Sequence, residues 1–158
     1  MRRRAVRRKG EGYELRIGRR EAEAVRGAAD QVRALIASDD GDPLLERLFP
    51  PAYSAPVDVE READFRSLMH GELVERRLAN LDALLAALDG GHLTAAELDA
   101  FMGAVNDIRL VLGTRLDVRE DDPPWAGLTG PDAGLRALYG YLSWLLDQAV
   151  SAAMDARG

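Results

Sequence analysis

The chain has 158 residues and a mass of 17.3 kDa, the usual size of a single domain with one hydrophobic core. Its composition, 47% apolar and 30% charged residues, is typical of a soluble globular protein and excludes a chain that is disordered throughout. It contains no cysteine, which excludes disulfides, thiol nucleophiles and Cys-ligated zinc within this chain.

Charge is distributed unevenly, and the basic residues begin the chain. Residues 1–20 carry nine basic and two acidic side chains, a charge of +7, whereas the other 138 carry twelve basic and twenty-five acidic ones, a charge of −13. The candidate binding residues of this basic arm are Arg2, Arg3, Arg4, Arg7, Arg8 and Lys9. They could bind nucleic-acid phosphates or an acidic partner; the alternatives are that they only keep an edge hairpin soluble, or that the arm pairs with the acidic body of the chain itself. Because the body repels a polyanion, any nucleic-acid contact should be confined to the arm.

The first predicted element is a β-hairpin within this arm. Residues 5–8 and 13–17 flank a Lys-Gly-Glu-Gly turn, and apolar and charged side chains alternate in the second segment. A two-stranded hairpin alone is marginally stable in water, so we expect its apolar face to pack on a helical body. Residues 1–18 are therefore predicted as a basic hairpin arm, and residues 19–156 as the helical body of the same domain.

Helical periodicity dominates the rest of the chain. The predicted helices cover residues 19–38, 44–48, 59–69, 74–88, 95–116 and 131–153. Gly71 either ends the third of these or only bends the chain, and Pro50 and Pro51 impose an extended corner. Thr94 and Glu97 form a capping box at the start of the fifth helix. The predicted fold is mainly α, a five- or six-helix bundle with an N-terminal β-hairpin packed on it.

The fifth predicted helix carries a group of polar residues. Its members are Asn106, Asp107, Arg109, Thr114 and Arg115. Asn106, Arg109 and Gly113 share one helical face, so an amide and a guanidinium flank a position without a side chain. A glycine there costs ~1 kcal/mol of helix propensity, which tight helix packing would offset. The group is then structural, with Asp107 and Arg115 as ion-pair or loop-anchoring groups; the alternative is a ligand or partner site.

The last predicted helix carries two aromatic residues outside its main apolar stripe. Tyr141 and Trp144 lie three positions apart. If they are exposed, these rigid side chains are anchors for a partner protein or for a second copy of the chain. If they are buried, they widen the core face of the helix, and the sequence leaves both interpretations open.

The residue patterns of catalytic, metal and membrane proteins are absent from the sequence. His70 and His92 lack a His or Glu partner at i+3 or i+4, and no glycine-rich loop has the context of a phosphate-binding loop. No serine lies in a nucleophile-elbow context. The longest apolar run, Ala83 to Leu88, is far shorter than the ~18 residues that span a bilayer, and no apolar run follows the basic N-terminus. We therefore expect a cytoplasmic protein that is not an enzyme and has no metal or cofactor.

Four segments of the chain resemble a known family. They are Gly-Tyr-Glu-Leu-Arg-Ile at 12–17, Leu-Phe-Pro-Pro-Ala-Tyr at 48–53, Phe-Arg-Ser-Leu at 65–68 and Asn-Asp-Ile-Arg-Leu-Val-Leu-Gly-Thr-Arg-Leu-Asp-Val at 106–118. Over almost its whole length the chain resembles the actinobacterial domain-of-unknown-function family typified by the oxidative-stress transcriptional regulator AosR. The resemblance implies a cytoplasmic transcriptional regulator that acts with an alternative sigma factor or RNA polymerase at genes of cysteine and redox metabolism. It also implies thiol oxidation as the trigger. This chain has no cysteine and therefore no thiol that could be oxidised.

Three functional hypotheses follow. The leading one is a non-enzymatic regulatory protein of a stress response that acts through contact with another protein. The second is a DNA-binding protein that uses the arginines of the arm. The third is a small-molecule binder or enzyme at the polar residues between Asn106 and Arg115.

Overall fold

A computed structural model describes residues 3–38, 42–49, 59–123, 127 and 129–156. In these ranges the elements are β1 (Val6–Lys9), β2 (Gly12–Leu15), α1 (Arg19–Ser38), a short 3₁₀-helix (Pro43–Leu45), α2 (Val59–Gly90), β3 (His92–Leu93), α3 (Ala95–Arg115) and α4 (Ala133–Asp155). The predicted mainly α fold with an N-terminal hairpin is confirmed. The described part contains four α-helices, fewer than the five or six predicted.

The helix count differs mainly because two predicted helices form one. α2 continues through Gly71 without interruption. One glycine costs only about 1 kcal/mol of helix propensity, and the following turns of α2 are held in the core by Leu81, Leu84 and Ala87, which are buried. The helix ends at Gly90, as predicted from the Gly-Gly pair. The short helix predicted over residues 44–48 is instead the 3₁₀-helix.

The predicted hairpin is part of a three-stranded antiparallel sheet in the order β1-β2-β3. β1 pairs with β2 in the register that places Val6 opposite Leu15, and β2 pairs with β3 through Tyr13 and Leu93. All four of these side chains are buried, so the apolar face of the sheet packs into the core as expected. β3 contains only two residues, which is too short for a periodic pattern to indicate a strand.

α3 is the central helix of the body. It packs chiefly against α2 and α4 and also contacts α1, the 3₁₀-helix and the sheet. Its side chains Phe101, Val105 and Ile108 are completely buried. The predicted capping box begins this helix, because Thr94 Oγ1 accepts a hydrogen bond from the Glu97 N–H and Glu97 Oε1 accepts one from the Thr94 N–H, each at 3.1 Å.

Some predictions fall on segments that the structure does not describe. The proline corner at Pro50 and Pro51 and residue Arg2 of the arm lie outside the described residues. Among the residues that are described, no helix combines the length and the apolar character that crossing a bilayer requires.

Candidate interaction surface at the arm and the last helix

The basic arm lies against the C-terminal end of α4. Arg4 Nη1 pairs with Asp155 Oδ2 at 3.2 Å, and Arg8 Nη1 donates a hydrogen bond to the Ala156 carbonyl at 3.3 Å. The last carbonyls of a helix carry partial negative charge and lack partners within the helix, so cations are favourable there. Arg4 and Arg8 therefore help to hold the arm on α4.

Glu14 of β2 attracts three cations of the arm. Arg7 Nε lies 3.0 Å from Glu14 Oε2, while Arg16 Nε and Lys9 Nζ lie 3.2 Å and 4.0 Å from Glu14 Oε1. The strand register places Arg7 directly opposite Glu14. The hydrogen bond from Arg7, with smaller contributions from Arg16 and Lys9, holds the pKa of Glu14 below its ordinary value of 4.5. Since one carboxylate is shared by three cations, this face of the arm keeps a net positive charge.

Four arginines line one surface depression of about 400 Å³. They are Arg3, Arg4, Arg7 and Arg16. Arg16 is not among the residues predicted from the sequence, because it lies at the end of the second strand rather than in the N-terminal run. A signal for it was present, since side chains two positions apart share one face of a strand and Glu14 faces Arg7.

The predicted basic residues do not all join this depression. Arg8 contacts the end of α4, and Lys9 lies at a separate depression of about 530 Å³ beside His92 and Thr94. The structure thus brings Arg3, Arg4 and Arg7 together with Arg16 and places the other two described cations elsewhere.

Tyr141 and Trp144 line a third depression, of about 440 Å³, together with Arg3 and Gly140. Both aromatic side chains are half-buried and pack against the core, and their ring centroids lie 5.6 Å apart. Burial, with a smaller contribution from the charge of Glu21, raises the pKa of Tyr141 from 10.0 to about 12. Each ring therefore lies partly in the core and partly at the accessible surface, between the full exposure and the full burial considered from the sequence.

Arg3 lines both depressions, which makes the basic and aromatic regions neighbours. We call their combined residues the arm–α4 surface: Arg3, Arg4, Arg7, Arg16, Gly140, Tyr141 and Trp144. Arginine, tyrosine and tryptophan are the residue types that contribute most to binding at protein interfaces.

In the described part of the chain, the polar residues of α3 make separate contacts. Arg109 Nη2 donates a hydrogen bond to Asn106 Oδ1 at 3.3 Å, and Thr114 Oγ1 donates one to the Leu110 carbonyl at 2.9 Å. Arg115 is exposed at the rim of a mostly apolar groove between α1, α3 and α4. Asn106 and Arg109 thus bond each other, whereas Thr114 bonds the backbone of its own helix and Arg115 is exposed.

Asp107 points to another side of α3 and forms a buried ion pair with Arg77 of α2. Asp107 is 3% exposed, and its Oδ1 accepts a hydrogen bond from Arg77 Nη1. Arg77 Nη2 also donates to the Leu48 carbonyl at 3.0 Å, and the guanidinium carbon lies 5.5 Å from the centre of the Phe49 ring. Burial raises the pKa of Asp107 above its ordinary value of 3.8, and the hydrogen bond from Arg77 offsets part of this rise. Asp107 thus connects α3 to α2 and to the segment after the 3₁₀-helix.

Gly113 allows α4 to approach α3 closely. A Cβ atom at this position would lie 3.2 Å from Cε2 of Tyr139 on α4 and 3.4 Å from Nη1 of Arg47. The guanidinium carbon of Arg109 lies 6.0 Å from the centre of the same tyrosine ring. The structure thus provides the tight helix packing that the sequence led us to expect at this glycine, with an aromatic ring as the neighbour.

Comparison with known proteins identifies the family of this chain. The family model described as "Domain of unknown function (DUF2017)" matches residues 3–153. The oxidative stress regulator AosR of Mycobacterium tuberculosis (strain ATCC 25618 / H37Rv) is 31% identical over 136 residues, which cover 77% of this chain and 62% of that protein. The putative oxidative stress regulator AosR of Mycobacterium leprae (strain TN) is 31% identical over 139 residues, which cover 78% of this chain and 64% of that protein.

The match therefore spans less than two thirds of the length of these relatives. No solved structure matches the chain. Because the family model covers the chain from the arm to the last turns of α4, the chain belongs to the actinobacterial DUF2017 family that AosR typifies.

Proposed function

We propose that this chain is a cytoplasmic, non-enzymatic regulatory protein of a stress response, and that it acts by binding another protein through the arm–α4 surface. The names of the mycobacterial relatives support a regulatory role in oxidative stress. The partner that the family resemblance implies is a component of the transcription machinery, a sigma factor or RNA polymerase. The redox trigger is not part of the proposal, because the chain has no cysteine.

One observation carries this proposal. Four guanidinium groups and two half-buried aromatic rings line two depressions that share Arg3. Side chains of this kind bind strongly at interfaces because they combine a large contact area with charge-assisted hydrogen bonds. By contrast, Asn106, Asp107, Arg109 and Thr114 each form a hydrogen bond with another group of the chain itself, although the buried atoms Asp107 Oδ2 and Arg109 Nε have no partner in its described part.

Affinity capture tests the proposal. The full chain is immobilised and exposed to an extract of the cells that encode it, beside the variant Arg7→Ser/Arg16→Ser/Trp144→Ala. We expect the unaltered chain to enrich a sigma factor or subunits of RNA polymerase, and the variant to lose them. The control is Arg33→Ser, which removes an exposed ion pair with Asp82 outside the arm–α4 surface. It should enrich the same proteins as the unaltered chain. If no transcription component is enriched, or if the variant retains it, the proposal is wrong.

A second candidate function is binding of DNA by the arm, and the convergence of four arginines on one depression favours it. Binding to phosphates releases counterions, so the affinity for a 20-base-pair duplex should fall steeply with salt. Replacing Arg3, Arg4 and Arg7 by Ser should then weaken binding and flatten its dependence on salt. An unchanged salt dependence would exclude the arm as the DNA contact.

A further inference from the structure

Gly140 lies at an exposed position within α4, where a glycine costs about 1 kcal/mol of helix propensity relative to alanine. A Cβ atom added at Gly140 would meet no heavy atom within 4 Å, in contrast to Gly113, where α3 and α4 pack closely. Packing within the described part of the chain therefore does not account for this glycine. Because Gly140 has no side chain, the backbone of α4 is accessible to a ligand at this position.

The open backbone at Gly140 forms part of the depression beside Tyr141 and Trp144. The two rings lie on the same side as the glycine, so a side chain entering the depression would contact both aromatic surface and helix backbone. Three of the four residues that line this depression, Gly140 and the two aromatic residues, carry no charge, and the fourth, Arg3, adjoins the basic depression. The chemistry of the depression therefore suits an uncharged aliphatic or aromatic group.

The adjoining depression suits carboxylates. Four guanidinium groups surround it, and only Glu14 and Asp155 pair with them in the described part of the chain. Arg3 forms no ion pair there, and the side chains of Arg4 and Arg7 are 70% and 53% exposed. A guanidinium binds a carboxylate through two parallel hydrogen bonds, so this region retains capacity for further acidic groups.

We propose that the arm–α4 surface binds a short acidic peptide segment, one of whose aliphatic or aromatic side chains lies against the α4 backbone at Gly140. The neighbouring carboxylates of the segment bind the arginines of the arm. This inference rests on the proposed function, because it describes the chemistry of the partner segment that the arm–α4 surface binds.

A peptide fits the surface better than a nucleic acid does. Residues 21–158 carry a charge of −13, which repels a long polyanion wherever it extends beyond the arm. A nucleic acid has a phosphate at every nucleotide, so its negative charge cannot be confined to the arginines of the arm. A peptide can instead place its acidic residues at the arginines and a neutral residue beside Gly140.

Selection from a library of displayed random 12-residue peptides, with the full chain as bait, tests this inference. We expect the enriched peptides to be acidic and to share a Leu, Phe or Trp flanked by Asp or Glu.

One enriched peptide is then synthesised with a fluorescent label, and its affinity is measured by anisotropy. Gly140→Ala should weaken binding at least tenfold, because the new methyl group occupies the space of the peptide side chain. Arg7→Ser/Arg16→Ser should weaken it as well.

Gly27→Ala is the matched control. Gly27 is an exposed glycine within α1, its added Cβ would also meet nothing within 4 Å, and it lies outside the arm–α4 surface. Both alanine variants favour the helix, so a loss of binding by Gly140→Ala alone cannot come from unfolding. We expect Gly27→Ala to bind the peptide as the unaltered chain does.

Several outcomes would overturn the inference. These are a library without enriched peptides, enriched peptides without acidic residues, or equal affinity for Gly140→Ala. A 20-nucleotide single strand or 20-base-pair duplex that displaces the peptide at 150 mM NaCl and binds more tightly would identify the surface as a nucleic-acid site. If captured transcription proteins bind Gly140→Ala unchanged but are lost by Arg7→Ser/Arg16→Ser/Trp144→Ala, this inference fails while the proposed function stands.

Discussion

At the scale of single residues, Asp107 shows how a charge is kept inside this protein. Removing a carboxylate from water costs several kcal/mol unless an opposite charge and hydrogen bonds replace the water. Arg77 supplies the opposite charge and a hydrogen bond to Oδ1, whereas Oδ2 has no hydrogen-bond partner in the described part of the chain; Arg77 is itself only 22% exposed. Because Arg77 also binds the Leu48 carbonyl, the pair fixes a segment that neither residue belongs to. The pair therefore connects α2 and α3 to that segment.

We expect Asp107→Ala to lower the free energy of unfolding by about 3 kcal/mol, because it leaves the guanidinium of Arg77 without its partner. Arg77→Ala should have an effect of the same order, and the double variant should cost less than the two single ones together. Urea denaturation measures all three. Arg33→Ala breaks an exposed ion pair with Asp82 and should change stability much less. Equal effects of Asp107→Ala and Arg33→Ala would contradict the buried pair.

Tyr141 allows a prediction about pH. Burial and the nearby Glu21 raise the pKa of Tyr141 to about 12 from an ordinary value of 10.0, so the folded chain holds this proton more tightly than the unfolded chain. The corresponding stability is fully present below pH 10 and is lost as the pH rises through 12. The absorbance titration of the phenolate band, taken as the difference between the unaltered chain and Tyr141→Phe, should have its midpoint near 12. A midpoint near 10 would place the hydroxyl in water.

At the scale of elements, glycines within helices have different consequences according to what surrounds them. Gly27→Ala should raise the free energy of unfolding by roughly 0.5–1 kcal/mol, because only helix propensity changes. Gly113→Ala gains the same propensity, but its methyl group would press on the ring of Tyr139, so its net effect should be smaller or destabilising. Urea denaturation of both variants measures the difference. Equal stabilisation would mean that α3 and α4 have room to separate at Gly113.

The elements that could be predicted from the sequence are those with local causes. The capping box of Thr94 and Glu97 and the Gly90–Gly91 end of α2 each involve groups within one turn of chain, and both are found in the structure. Strand β3 could not be predicted, because its two residues become a strand only by pairing with β2. The continuation of α2 through Gly71 could not be predicted either, because it is stabilised by packing rather than by helix propensity.

The candidate site could be predicted only in parts, for the same reason. The arginines and the pair Tyr141–Trp144 are visible in the sequence as separate features. Their proximity depends on the packing of β1 against α4, elements that lie at opposite ends of the chain. Arg16 joins the arginines only through the pairing of β2 with β1. Long-range packing of this kind leaves no local pattern.

At the scale of the whole molecule, the arm belongs to the core as well as to the surface. The Ala5 N–H donates a hydrogen bond to Gln148 Oε1 of α4 at 3.3 Å, and Val6, Tyr13 and Leu15 are buried. The arginines of the same strands carry the exposed charge. The N-terminal residues thus present their cations while their apolar side chains hold the sheet on the helices, which distinguishes the arm from a flexible basic tail.

Removal of the arm and removal of its charge should therefore have different effects. Deleting residues 1–17 removes Val6, Tyr13 and Leu15 from the core. Each buried side chain of this size contributes ~1.5–3 kcal/mol to the free energy of unfolding. The shortened chain should therefore unfold at a much lower urea concentration or lose its cooperative transition. Replacing Arg3, Arg7 and Arg16 by Ser in the full chain should lower the midpoint far less, because the buried side chains of the arm stay in the core and Glu14, whose side chain is 12% exposed, keeps Lys9 at 4.0 Å. Urea denaturation followed by circular dichroism compares the two. If the shortened chain unfolds at the same urea concentration as the full chain, the arm is not part of the core. If it unfolds at a lower concentration, deletion of the arm impairs folding, and only charge variants of the full chain can test binding separately from folding.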